Sequence, residues 1–143
     1  MAIKVEFKSM NPQGLLKYFK SFEKSIKNKI NTAGNLVRNT AVQSITSGSK
    51  SGVTYEKYNP RRTHTASSAG QPPASDTGFL VQNIVLNLQE GGMVANIESK
   101  ASYSKFLEFG TQNMKARPFM FPALEENKPK IRRMFATVKG KPK

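Results

Sequence analysis

The sequence predicts an α+β domain: a long amino-terminal helix and a carboxyl-terminal helix packed on a small antiparallel β-sheet, with a long mobile loop between them. Three observations predict it. An apolar stripe at helical spacing runs from Leu15 to Ile45, a stretch at 48–77 is rich in Ser, Thr, Gly and Pro, and two apolar runs flank Gly91 and Gly92. The length of 143 residues suits one domain, read as 1–139 with a frayed basic tail at 140–143.

In order along the chain, Ile3, Val5 and Phe7 alternate with Lys4, Glu6 and Lys8, the period of a strand with one buried face. Asn11 and Pro12 then form a helix start, the asparagine as cap and the proline at a position where its missing donor costs nothing. The helix carries Leu15, Phe19, Phe22, Ile26, Ile30, Ala33, Val37, Ala41 and Ile45 on one face, and ends at Ser47 and Gly48. Gly34 inside it costs about 1 kcal/mol relative to alanine, which implies a bend or a close contact there.

Across 48–77 only Val53, Tyr55 and Tyr58 are sizeable apolar anchors, so this stretch reads as an extended arm. Phe79 to Leu88 and Met93 to Ser99 read as the strands of a hairpin turned at Gln89–Gly92, with Leu80, Ile84, Leu86 and Leu88 on the buried face. Tyr103, Phe106 and Leu107 indicate one or two helical turns stopped by Gly110. Arg117 to Phe121 is extended between prolines, and Pro122 opens the last helix, which Pro129 kinks or delays.

The formal charge is +14, and seven of the cations, from Lys128 to Lys143, lie beyond Asn127 with no acid among them. Cysteine is absent, which excludes disulfides and thiol chemistry. The sole histidine, His64, has no cysteine or second histidine to complete a triad or metal site, and Glu125 and Glu126 point different ways on a helix. We therefore expect no catalytic residue, no cofactor and no metal. The start of the chain lacks the apolar run of a signal peptide, and no stretch is long and apolar enough to span a membrane. Tyr55, Lys57, Tyr58, Arg61 and Arg62 interleave aromatics with cations, as single-strand nucleic-acid binders do.

Two stretches carry a resemblance. One is Gly70-Gln71-Pro72-Pro73-Ala74, followed by Asp76-Thr77-Gly78-Phe79-Leu80. The other joins Tyr103 and Glu108-Phe109-Gly110-Thr111, across a short spacer, to Ala116-Arg117-Pro118-Phe119-Met120-Phe121-Pro122-Ala123-Leu124. Together with the preceding basic helix they resemble the tail-completion and head-to-tail joining (neck) proteins of long-tailed bacteriophages. Pro129 and the weight of the basic tail depart from that pattern.

The resemblance implies a non-enzymatic virion protein, assembled in the host cytoplasm as a subunit of a closed ring, commonly a hexamer. Its implied partners are further copies of itself, a connector or head-completion protein, the tail tube protein, and DNA passing through the lumen without sequence recognition. Phe106, Glu108, Phe109, Arg117, Phe119, Met120 and Phe121 are the expected subunit or partner interface, the alternative being that their large apolar side chains all belong to the core, with Arg117 able to pair with Glu108 or with a partner's carboxylate. Tyr55, Tyr58, Arg61 and Arg62 are the expected docking loop. The alternative is a basic nucleic-acid-binding protein acting in the infected cell.

Overall fold

A computed structural model describes residues 11–138. The strand expected over Ile3, Val5 and Phe7 and the tail at 140–143 lie outside the described residues.

Helix α1 spans Pro12–Ser47, and the Asn11 side chain accepts a hydrogen bond from the Gln13 amide at 3.1 Å, so the start read from Asn11-Pro12 is the one observed. At 36 residues it is about 54 Å long. Its stripe divides into two parts. Ala33, Gly34, Val37, Ala41 and Ile45 are buried, whereas nothing between Pro12 and Ser25 is.

The 48–77 stretch, expected to lack regular structure, carries a two-stranded antiparallel hairpin of β1 (Thr54–Tyr58) and β2 (Arg61–Thr65). Threonine, tyrosine and alternating charge suffice for a ladder whose two faces are both largely wet. Its two strands pack chiefly on each other.

A helical turn, α2 (Phe79–Gln82), replaces the first part of the expected strand. The Phe79 amide is held by the Thr77 hydroxyl at 3.3 Å and the Asn83 side chain donates to the Phe79 carbonyl at 2.8 Å, so local side-chain bonds outcompete the ladder. The ladder proper is β3 (Ile84–Gln89) with β4 (Val94–Ser99), antiparallel, pairing Ile84 with Ser99, Leu86 with Ile97 and Leu88 with Ala95. Leu88, near the tip, is 46% exposed rather than buried.

Helix α1 crosses this ladder at Gly34, where an added Cβ would lie 2.7 Å from Leu86 Cδ1 and 3.1 Å from Ala95 Cβ. Close approach is thus the reason for the glycine. Arg38 donates from Nε to the Ile84 carbonyl at 2.8 Å, tying the helix to the strand.

Helix α3 (Ser104–Phe109) is followed by α4 (Met120–Ala136), which starts before Pro122 and runs through Pro129 without the expected delay. Pro122 falls in the first turn, where no intrahelical donor is needed. Pro129 is exposed, so water can satisfy the carbonyl its missing amide leaves free. The core joins Val37, Ala41 and Ile45 of α1 to Leu80, Ile84, Ala101, Phe119 and Ala123, each large side chain contributing about 1.5–3 kcal/mol by burial. Two polar ties fasten α4 to α1. The buried Asn127 donates to Thr40 Oγ1 at 2.9 Å, and the Lys29 ammonium donates to the Met134 carbonyl at 2.6 Å and Thr137 Oγ1 at 2.9 Å, capping the negative end of α4.

Candidate interaction site

The two stretches singled out in the sequence meet in space. The Gly70 amide donates to the Ala116 carbonyl at 2.9 Å, and Arg117 Nη1 donates to the Ser67 hydroxyl, itself 1% exposed, at 3.2 Å. Arg117 also fixes its own backbone, its amide donating to the Leu107 carbonyl at 2.7 Å. Its Nε is buried without a hydrogen-bond partner.

Glu108 does not pair with Arg117. Its carboxylate takes three backbone donors at the start of α4: Oε2 accepts from Phe119 at 2.9 Å and Met120 at 3.0 Å, and Oε1 from Phe121 at 2.8 Å. Those amides are among the orphan donors of a helix start, and the anion also suits the positive end of the dipole. Gly110 stops α3 at φ +78, and a Cβ there would meet the Met114 carbonyl oxygen at 2.8 Å and the Ala116 nitrogen at 2.9 Å. Glycine is needed there for both reasons. The turn it begins returns the chain so that Glu108 faces the α4 start.

The aromatic residues of the motif divide between core and surface. Phe119, expected at a contact surface, is 1% exposed and closes the core, because the cap on its own amide turns the side chain inward at the first turn of α4. Met120 is half-buried against the same core. Phe109 at 82%, Phe121 at 64% and Phe106 at 46% remain exposed. An open groove of about 490 Å³ lies between β4, α3 and the start of α4, with Val37 and Phe119 among its lining residues and Phe109, Phe121 and Leu124 along it.

The expected docking loop is the β1–β2 arm. Tyr55 is 50% and Tyr58 76% exposed. At its base, Asp76 gathers nitrogen-bearing side chains from both strands: Lys57 pairs with Oδ2, Arg62 Nη2 lies 3.0 Å from Oδ1, and His64 Nδ1 lies 3.8 Å from Oδ1. The Lys57 hydrogen bond holds the Asp76 carboxyl below its ordinary range, partial burial opposing and the charges of Arg62, Lys57 and His64 assisting. Arg61, at the tip, reaches Glu56 at 3.8 Å. Neither Asp76 nor His64 stands out in the sequence as part of such a cluster. Only the excess of cations in the arm, beside one following acid, hinted at this clamp.

Among the described residues no group of three His, Cys, Asp or Glu side chains is placed to hold a metal, and no helix is long and apolar enough to cross a membrane. Glu108 and Arg117 are engaged in a cap and a strut, while Phe109 and Phe121 border an open groove. That arrangement leaves an exposed aromatic surface on an internally braced motif. The chain belongs to the HK97-gp10-like family of bacteriophage tail components: a family model described as "Bacteriophage HK97-gp10, putative tail-component" matches residues 2–110. The matched region includes both hairpins and α3, and ends at Gly110, before the Arg117-Pro118-Phe119 segment. No curated protein and no solved structure matches the chain.

Proposed function

We propose that the chain is a ring-forming subunit of the phage neck or upper tail, a virion protein that completes the tail and joins it to the head connector. The observation that carries this reading is the exposure of Phe106, Phe109 and Phe121 on a motif otherwise rigidly built, beside a groove open to solvent. Solvent-exposed aromatics at fixed positions are typical anchors of protein contacts, each commonly contributing about 2 kcal/mol or more. The same motif, with Glu108, Arg117 and Phe119 as its internal supports and Met120 at its edge, gives the contact surface its shape.

Partners follow from this placement: other copies of the chain in a closed ring, a hexamer, with the connector or head-completion protein on one side and the tail tube protein on the other. The arm bearing Tyr55, Tyr58, Arg61 and Arg62 docks on the adjoining ring. DNA passes through the lumen without base recognition, and the protein performs no catalysis. Assembly takes place in the host cytoplasm. A dedicated nucleic-acid site on the arm is disfavoured by its own pairing, since Arg61 faces Glu56 and Arg62 faces Asp76.

Complementation tests the reading. A phage lacking this gene should accumulate filled heads and unjoined tails, and supplying F109D/F121D should fail to rescue it while T46S, at an exposed position of α1 away from the groove, rescues fully. Normal infectious particles formed without the gene product would overturn the proposal.

A further inference from the structure

Among the described residues, the amino-terminal part of α1 projects beyond the body of the domain. The body ends near Lys27, whose side chain lies 3.5 Å from the Cβ position of Gly92 at the hairpin tip, and Lys29, which caps α4. On the projecting part, Leu16 is 61% and Phe19 56% exposed, and Tyr18 stacks on Phe22 at 6.4 Å between ring centroids. An amphipathic helix with its apolar residues in water is incomplete. The groove beside Phe121 and Leu124 is incomplete in the complementary way.

One chain cannot join its own two surfaces. Phe19 and the groove residue Val37 are 18 positions apart on a single continuous helix, about 27 Å along its axis. Charge favours their meeting between molecules. The projecting segment carries Lys17, Lys20 and Lys24, with Glu23 already paired to Lys27, whereas the groove of this +14 chain is lined by Glu98 and Glu108 against Lys105 alone.

We infer that the occupant of the groove is the projecting helix of a second copy, with Leu16 and Phe19 entering beside Phe121 and Leu124. The contact is heterologous, using two different patches, which is the kind that closes into a ring by rotation. The inference rests on the ring reading and specifies its interface.

Two variants test it, L16D/F19D with a disabled helix and F121D/L124D with a disabled groove, each checked by circular dichroism for an intact fold. Native mass spectrometry of the wild-type chain, at concentrations up to millimolar, should show a closed oligomer. Each variant alone should associate about a hundredfold more weakly or worse. Mixed together they should form a 1:1 complex and stop there, because one intact helix and one intact groove remain to make a single contact. As a second readout, Phe19→Cys and Leu124→Cys chains, in a protein without native cysteine, should form a disulfide with each other on mixing and mild oxidation. An oligomeric wild type whose variants still assemble, or whose mixture yields no 1:1 complex and no cross-link, overturns the inference and leaves the ring standing. A wild type that stays monomeric throughout removes both.

Discussion

Replacing Glu108 by alanine removes the acceptor of three amides at the start of α4. Loss of a helix cap costs about 1 kcal/mol, and loss of the charge–dipole attraction about 0.3–1 kcal/mol. Phe121 is exposed, so water takes over its amide cheaply, whereas Phe119 is 1% exposed and its stranded amide adds about 1–3 kcal/mol. The sum is about 2–5 kcal/mol. For a domain of 143 residues, 1 kcal/mol corresponds to roughly 3–5 °C in Tm, so Glu108→Ala should melt about 10–15 °C early in scanning calorimetry. Glu108→Gln keeps one acceptor oxygen and should lose about half as much. A shift for the alanine variant within about 2 °C, or equal shifts for both, would refute the assignment of this carboxylate as the cap of α4.

Gly34→Ala offers a contest of opposite signs. Helix propensity alone favours alanine by about 1 kcal/mol, but the new methyl group meets Leu86 and the fixed Cβ of Ala95, and overpacking costs about 1–3 kcal/mol. Urea unfolding should show a less stable variant; a gain would mean that the hairpin yields to the helix. For Asp76, the lowered folded pKa means that its contribution is complete above the ordinary carboxylate range and is lost as pH falls through the folded value. Amide exchange across 54–65 should therefore rise on acidification relative to the β3–β4 ladder, and Asp76→Asn should raise it already at neutral pH and remove the acid dependence. Unchanged protection in that variant would show the arm to be held by other contacts.

The elements that rest on local signals were readable from the sequence. Asn11-Pro12 fixed the start of α1, Gly110 the end of α3, and the glycines after Glu90 the tip of the β3–β4 hairpin. What escaped depends on partners distant in sequence. Glu108 reads as one charge in a short helix until the α4 start folds over it, and Asp76 reads as a turn residue until Lys57 and Arg62 reach it from another hairpin. The β1–β2 ladder within the arm was hidden for a related reason, since a ladder with two wet faces leaves no alternating apolar pattern. Within the candidate site, composition identified the aromatic motif but could not divide it, and only the fold sends Phe119 inward and leaves Phe109 and Phe121 outside.

Cryo-electron microscopy of the neck in purified particles of the phage that encodes this chain, with mass spectrometry of the same particles, tests the central claim most directly. The account predicts a symmetric ring between tail tube and head connector, built from this fold with Phe109 and Phe121 at contacts between subunits. Mature particles that lack the polypeptide, or that contain it only as isolated copies with those aromatics facing solvent, would contradict it.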